Sequence, residues 1–207
     1  MRLVAWWALV SSPCAPVVLV VGWETGATLE GSRYDPVTQT ISVLAAEGRT
    51  GYWVLTGTLV AVGTCYLLTA WGLRAAGPRG RLAMAGGGLA AILLALFPAP
   101  RSGGSLPHGF VVGIGFSLLA LWPVLGRDGR ENAPWGLRPA TSITASSLIW
   151  VGALWFGIEL WTGGAVGVAE RALTTAQALW PAVVVGTCVA RQRSAEQPGE
   201  RSDERAT

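Results

Sequence analysis

Residues 52–73 read YWVLTGTLVAVGTCYLLTAWGL, 22 positions without a single charged side chain. At about 1.5 Å per residue a helix of this length spans about 33 Å, enough to cross a hydrocarbon core of about 30 Å. Apolar residues occupy every face of the stretch, as a helix surrounded by lipid requires. Comparable blocks lie on either side, at residues 3–23, 82–97, 108–125, 140–161 and 172–190. The chain therefore reads as an all-α, polytopic membrane helix bundle of about six transmembrane helices, with five or seven as the neighbouring counts. The third block is the shortest and carries Gly86, Gly87 and Gly88, which allow close helix contact but weaken helix propensity.

Composition excludes the main alternative. Of the 207 residues 51% are hydrophobic and 13% charged, about half the charged fraction of an ordinary soluble domain. Mean hydropathy is +0.46, which rules out a water-soluble globular enzyme. The first block is not a signal peptide, because Ser11, Ser12 and Pro13 interrupt the apolar core that such a segment needs. It reads as an uncleaved helix kinked near Pro13 and Pro16. Residues 1–190 form the transmembrane domain. Residues 191–207, with mixed charges around Pro198-Gly199 and no apolar face, read as a disordered cytoplasmic tail.

All 15 basic residues are arginine. They sit in short loops and at helix ends rather than in a stripe among aromatics, so no nucleic-acid partner is expected. With six spans, one side holds Arg2, Arg74, Arg79, Arg81, Arg127, Arg130, Arg138, Arg191, Arg193, Arg201 and Arg205, and the other only Arg33, Arg49, Arg101 and Arg171. The positive-inside rule then puts both termini in the cytoplasm. Trp23, Trp53 and Trp161 fall at the outer boundary, and Trp6, Trp71, Trp122 and Trp135 near the inner one, as an interfacial belt. Trp150, Trp155 and Trp180 lie deeper. Cys14, Cys65 and Cys188 each fall inside an apolar block without metal-ligand spacing.

The longest connection, residues 24–51, lies outside. Asp35 before Pro36 reads as an N-cap followed by proline at the first helical position, with Val37, Ile41 and Leu44 on one face. A short extracytoplasmic helix ending near Gly48 is expected there.

These residues also carry a likeness. Tyr34-Asp35-Pro36, Thr40-Ile41-Ser42-Val43-Leu44, Trp53 opening the second span, Phe97-Pro98 closing the third and His108 opening the fourth resemble a bacterial six-helix membrane family common in actinobacteria. That family is known as the nine-hundred-and-ninety-eighth domain of unknown function. The resemblance covers residues 3–190 and implies six helices with an outer first loop. It implies no activity.

Soluble-enzyme motifs are absent: there is no P-loop, no dinucleotide fingerprint, and one histidine excludes HExxH. No cofactor or metal is expected. What remains is an outward bias of acids. Glu24, Asp35, Glu47 and Glu170 fall on the outer side with His108, and Glu159 lies inside the fifth span near its outer end. An ionisable residue inside a span is a functional candidate by default, with Arg171, Arg101 or His108 as partners for Glu159. Each has a structural reading too: Asp35 caps its helix, Glu24 and Glu170 touch water, His108 bonds at the interface, and Glu159 snorkels.

Two functions compete. The first is a multi-pass protein with an outward-facing polar and aromatic pocket that binds a lipid or other hydrophobic small molecule. Catalytic candidates there are Glu159, Asp35 and His108, and ligand-binding candidates are Trp155, Trp150, Trp180 and Glu24. The second is an intramembrane enzyme such as an acid-initiated isoprenoid cyclase. A carboxylate would donate the proton and the deep tryptophans would stabilise cations through their π faces.

Overall fold

The computed structural model describes residues 3–100 and 104–203. Its long helices are α1 (Trp6–Glu30), α3 (Tyr52–Gly72), α4 (Pro78–Leu93), α5 (Leu106–Leu125), α6 (Pro139–Thr162) and α7 (Val166–Asp203), with a four-residue α2 (Ile41–Leu44) between the first two. No strand occurs among the described residues. Each long helix packs against the next, and α1 packs against α7, so the six close into a ring.

Five of them are long and apolar enough to cross a membrane. The sixth, α4, has 16 residues, but with the turns that follow it the segment reaches from one end of its neighbour α5 to the other. At one end the Gly77 amide donates to Gly126 O at 3.0 Å; at the other His108 bonds to Phe97 O. Turns through Phe97 supply the length that α4 lacks as helix. Large apolar side chains such as Val17, Leu82, Phe110, Leu148 and Trp161 are exposed around the ring. A water-soluble protein would bury such a belt; here lipid covers it.

Small residues set the helix spacing. Gly63 of α3 faces Gly88 of α4, where a Cβ on Gly88 would stand 2.7 Å from Gly63 O. The backbones touch there because neither has a side chain. Between α1 and α3, the Ser11 and Thr69 hydroxyls bond at 2.8 Å in the buried seam. Gln177 of α7 donates to Phe116 O of α5 at 3.1 Å across the ring. Helix α6 ends at Gly163, whose φ of +70° only glycine adopts without strain.

Several elements differ from the sequence reading. Helix α1 runs unbroken through Pro13 and Pro16 to Glu30, so the first connection starts at Gly31 rather than residue 24. The helix expected from Asp35 shrinks to α2. Asp35 does cap, but it caps a turn: Val37 N–H donates to Oδ1 at 2.9 Å and the Thr38 hydroxyl to Oδ2 at 2.6 Å. Those bonds hold its carboxyl below the usual aspartate range. Pro36 O and Gln39 O accept from Arg171 in this turn. Helix α7 starts six residues before the expected 172 and does not stop at Ala190, continuing to Asp203. Residues 191–197 (RQRSAEQ) are mostly good helix formers, so no backbone break marks the expected tail; residues 204–207 lie outside the described set.

The tryptophan belt is met in part. Trp6, Trp53, Trp71, Trp135 and Trp161 are exposed, whereas Trp23 and Trp122 are buried among helices.

Candidate functional site: a cavity at the α2 end of the bundle

Helices α5 and α6 meet where the Ser146 hydroxyl donates to Ala120 O at 2.6 Å. Toward the α2 end they leave a cavity of about 450 Å³. The α5 wall is built from Ser105, Gly109, Gly113 and Ser117, spaced four apart and therefore on one face. A Cβ added at Gly109 or Gly113 would meet nothing within 4 Å, so the missing side chains are what open the space. The α6 wall presents Trp150, Ala153, Phe156 and Leu160. Phe116 of α5 meets Phe156 edge-on, with centroids 5.8 Å apart. From Ser105 to Ser117 the wall covers about 18 Å, which reaches past the middle of a core about 30 Å thick.

Polar groups gather at the α2 end. Glu170, from the second turn of α7, lines the cavity and is only 4% exposed. Its carboxylate accepts the Ile41 N–H at the start of α2, and the Ser42 hydroxyl donates to the other oxygen at 3.2 Å. His108 sits across from it on α5. Its Nδ1 lies 2.8 Å from Phe97 O. A carbonyl only accepts, so Nδ1 carries the proton in this contact, and Nε2 is an acceptor when the ring is neutral. Thr40 and Ser105 complete this rim.

Arg171 follows Glu170 and holds the earlier part of the same segment. Its Nη1 donates to Pro36 O and Gly167 O, both at 2.9 Å, and its Nη2 to the Tyr34 hydroxyl at 2.5 Å. The guanidinium also lies over the Trp23 and Tyr34 rings, 5.7 and 5.6 Å from their centroids. Burial pushes the Tyr34 phenol up in pKa, although Arg171 opposes the shift. The pair Glu170 and Arg171 thus pins residues 34–42 across the end of the bundle.

The residues singled out from sequence are dispersed. His108 and Trp150 line the cavity, and Glu159, Asp35, Glu24, Trp155 and Trp180 do not. Glu159 caps the next helix instead: Ala165 N–H donates to it at 2.6 Å and Trp155 Nε1–H at 3.1 Å. Asp35 is exposed in its turn. Glu24 is exposed and accepts from Trp23 Nε1 at 2.8 Å. Trp180 stands beside Trp135, at the other end of the bundle, with centroids 6.2 Å apart. Arg101, one of the partners expected for Glu159, lies outside the described residues. No group of three or more metal-ligating side chains occurs among the described residues.

Two acids are buried where the sequence reading differs: Glu170 was expected to touch water, and Glu30 was not singled out. Glu170 falls in phase with Val166, Leu173 and Gln177, all buried, and that spacing was the available signal. Glu30 ends α1 and accepts the Thr50 and Gly51 amides, with Arg49 at 3.4 Å, so it anchors the connection into α3.

No curated protein and no solved structure matches the chain. The model of the family described as "Protein of unknown function (DUF998)", the family the sequence resembles, matches residues 13–187. The chain belongs to that family.

Proposed function

We propose that this protein binds an amphiphile from the outer leaflet, with its polar head near Glu170, Ser42 and His108 and its chain between α5 and α6. The carrying observation is the cavity itself. Its volume of about 450 Å³ lies within the roughly 300–1,000 Å³ of small-molecule sites. Its walls are apolar along Val112, Phe116, Phe156 and Leu160, and apart from Ser117 its polar side chains gather at the α2 end, which is the profile of a lipid site. The arginine distribution supports an outward opening in a bacterial cytoplasmic membrane, with both termini inside.

The cyclase reading finds less support. Acid-initiated cyclisation needs its acid and several π faces around one substrate. Of Trp150, Trp155 and Trp180 only Trp150 lines the cavity, and Glu159 is engaged in capping α7.

A matched pair of photoreactive probes tests the binding site: a tetradecyl alcohol and a tetradecyl amine, each with a diazirine in mid-chain. The full-length protein in phosphatidylcholine nanodiscs is illuminated with each probe and its adducts are mapped. At least one probe should label the peptides carrying Val112–Ser117 or Trp150–Leu160. Gly113→Leu, which fills open space without a backbone clash, should abolish that labelling. Adducts spread evenly over the lipid-facing residues, unchanged by Gly113→Leu, would overturn the proposal.

A further inference from the structure

We infer that the rim of this cavity selects an ammonium headgroup over a neutral or anionic one, a step that rests on the cavity being an amphiphile site. Glu170 is nearly fully buried, yet among the described residues no arginine lies within 4.0 Å of its carboxylate. Arg171, the neighbouring cation in sequence, spends its donors on Pro36 O, Gly167 O and the Tyr34 hydroxyl. A carboxylate in such a place is costly unless a cation joins it.

The protein gives that carboxylate the Ile41 N–H on one oxygen and the Ser42 hydroxyl on the other, with the Ser42 amide as a third donor. An ionised carboxylate offers about four lone-pair sites, so acceptor capacity remains. A neutral His108 adds a further acceptor at Nε2, because Nδ1 faces Phe97 O. The rim is thus rich in acceptors, and its described lining side chains include no cation. An ammonium group brings three donors and a positive charge, which meets both needs. A hydroxyl supplies one donor and no charge. A phosphate supplies acceptors and negative charge, and meets neither need.

The same nanodiscs and the same two probes test the inference, with unlabelled tetradecyl phosphate as competitor and all compounds at matched mole fractions in the bilayer. Half-maximal labelling of the cavity peptides should need at least about tenfold less amine than alcohol, a difference of about 1.4 kcal/mol. Tetradecyl phosphate should compete no better than tetradecanol. Glu170→Gln keeps an acceptor for Ile41 N–H and removes the charge, so the amine preference should collapse while alcohol labelling persists. Glu24→Gln removes an exposed carboxylate that does not line the cavity and should keep the preference. If Glu170→Gln does not fold, the ratio measured on the unaltered protein still decides. Equal labelling by amine and alcohol at the cavity, or displacement by the phosphate, would overturn the headgroup assignment and leave the binding site standing. Loss of cavity labelling with both probes would remove the site itself.

Discussion

Replacing Arg171 with Met isolates what the guanidinium does for the α2 end. Methionine keeps apolar length over Trp23 and Tyr34 and removes the charge and all donors. Four hydrogen bonds vanish, to Pro36 O, Gly167 O, the Tyr34 hydroxyl and, at 3.5 Å, Gln39 O. Hydrogen bonds to charged groups are worth about 1.5–3 kcal/mol each where water cannot replace them. Arg171 is half-buried, however, so the carbonyls regain water and those bonds contribute well below that figure. Tyr34 keeps Gln39 O and Thr40 O, both at 3.1 Å, as acceptors for its proton. The two ring contacts add about 0.5–1 kcal/mol each. The expected loss is about 2–3 kcal/mol in all, or roughly 4–12 °C in the Tm of a chain this size. Arg33→Met is the control: its side chain is 67% exposed and 3.9 Å from Glu30, so less than about 1 kcal/mol is at stake. Thermal unfolding in detergent followed by near-ultraviolet circular dichroism measures both. Hydrogen exchange should also quicken at residues 34–44 in Arg171→Met alone. Equal Tm shifts in the two variants, or unchanged exchange in that segment, would refute the pinning role.

Gly88→Leu should lower Tm far more than Gly57→Leu, because a Cβ at Gly88 meets the Gly63 carbonyl and one at Gly57 meets nothing within 4 Å. Overpacking of this kind typically costs about 1–3 kcal/mol, and equal shifts would deny the α3–α4 backbone contact. Glu159→Gln should leave amine labelling unchanged and cost little stability, since the amide oxygen can still accept Ala165 N–H; Glu159→Ala should cost about 1 kcal/mol as a lost cap. A collapse of labelling in Glu159→Gln would mean that this carboxylate belongs to the site after all. For topology, in a cysteine-free background, Thr28→Cys should label from outside intact cells and Ser194→Cys should not; the reverse would invert the bundle and direct the cavity inward.

The spans were legible because lipid imposes a strong constraint on sequence. A run such as residues 52–73 has one viable structure in a bilayer, and α3 starts and ends within a residue of it. Helix α4 was harder: its glycines lower propensity and its charged first turn lies beyond the apolar block, yet they are what let it sit against Gly63 and Gly126. The candidate site was half legible. His108 and Trp150 could be named from polarity and depth, but the outer-facing acids could not be ranked. Glu159 looked exceptional because apolar residues flank it in sequence, while in space it reaches the N-terminus of α7. Glu170 looked ordinary because the last apolar block begins at residue 172. The helix begins earlier, at Val166, since Ala and Val continue it and the Glu159 carboxylate caps it from another segment. A cap supplied across a turn leaves no local signature. The cavity left none either, because Gly109 and Gly113 match a helix-packing motif as well as they match an open wall.

Accessibility of the α5 wall tests the central claim most directly. With Cys14, Cys65 and Cys188 replaced, Gly113→Cys and Ile114→Cys are compared for reaction with a small, charged, water-soluble thiol reagent in nanodiscs. The two positions share one depth but differ in surroundings: Gly113 lines the cavity, and Ile114 is exposed outside it, where lipid lies. A cavity open at the α2 end lets Gly113→Cys react and leaves Ile114→Cys protected, and tetradecylamine slows the reaction at Gly113→Cys. Two thiols equally inert, or a reactive Gly113→Cys that tetradecylamine does not protect, would contradict the account.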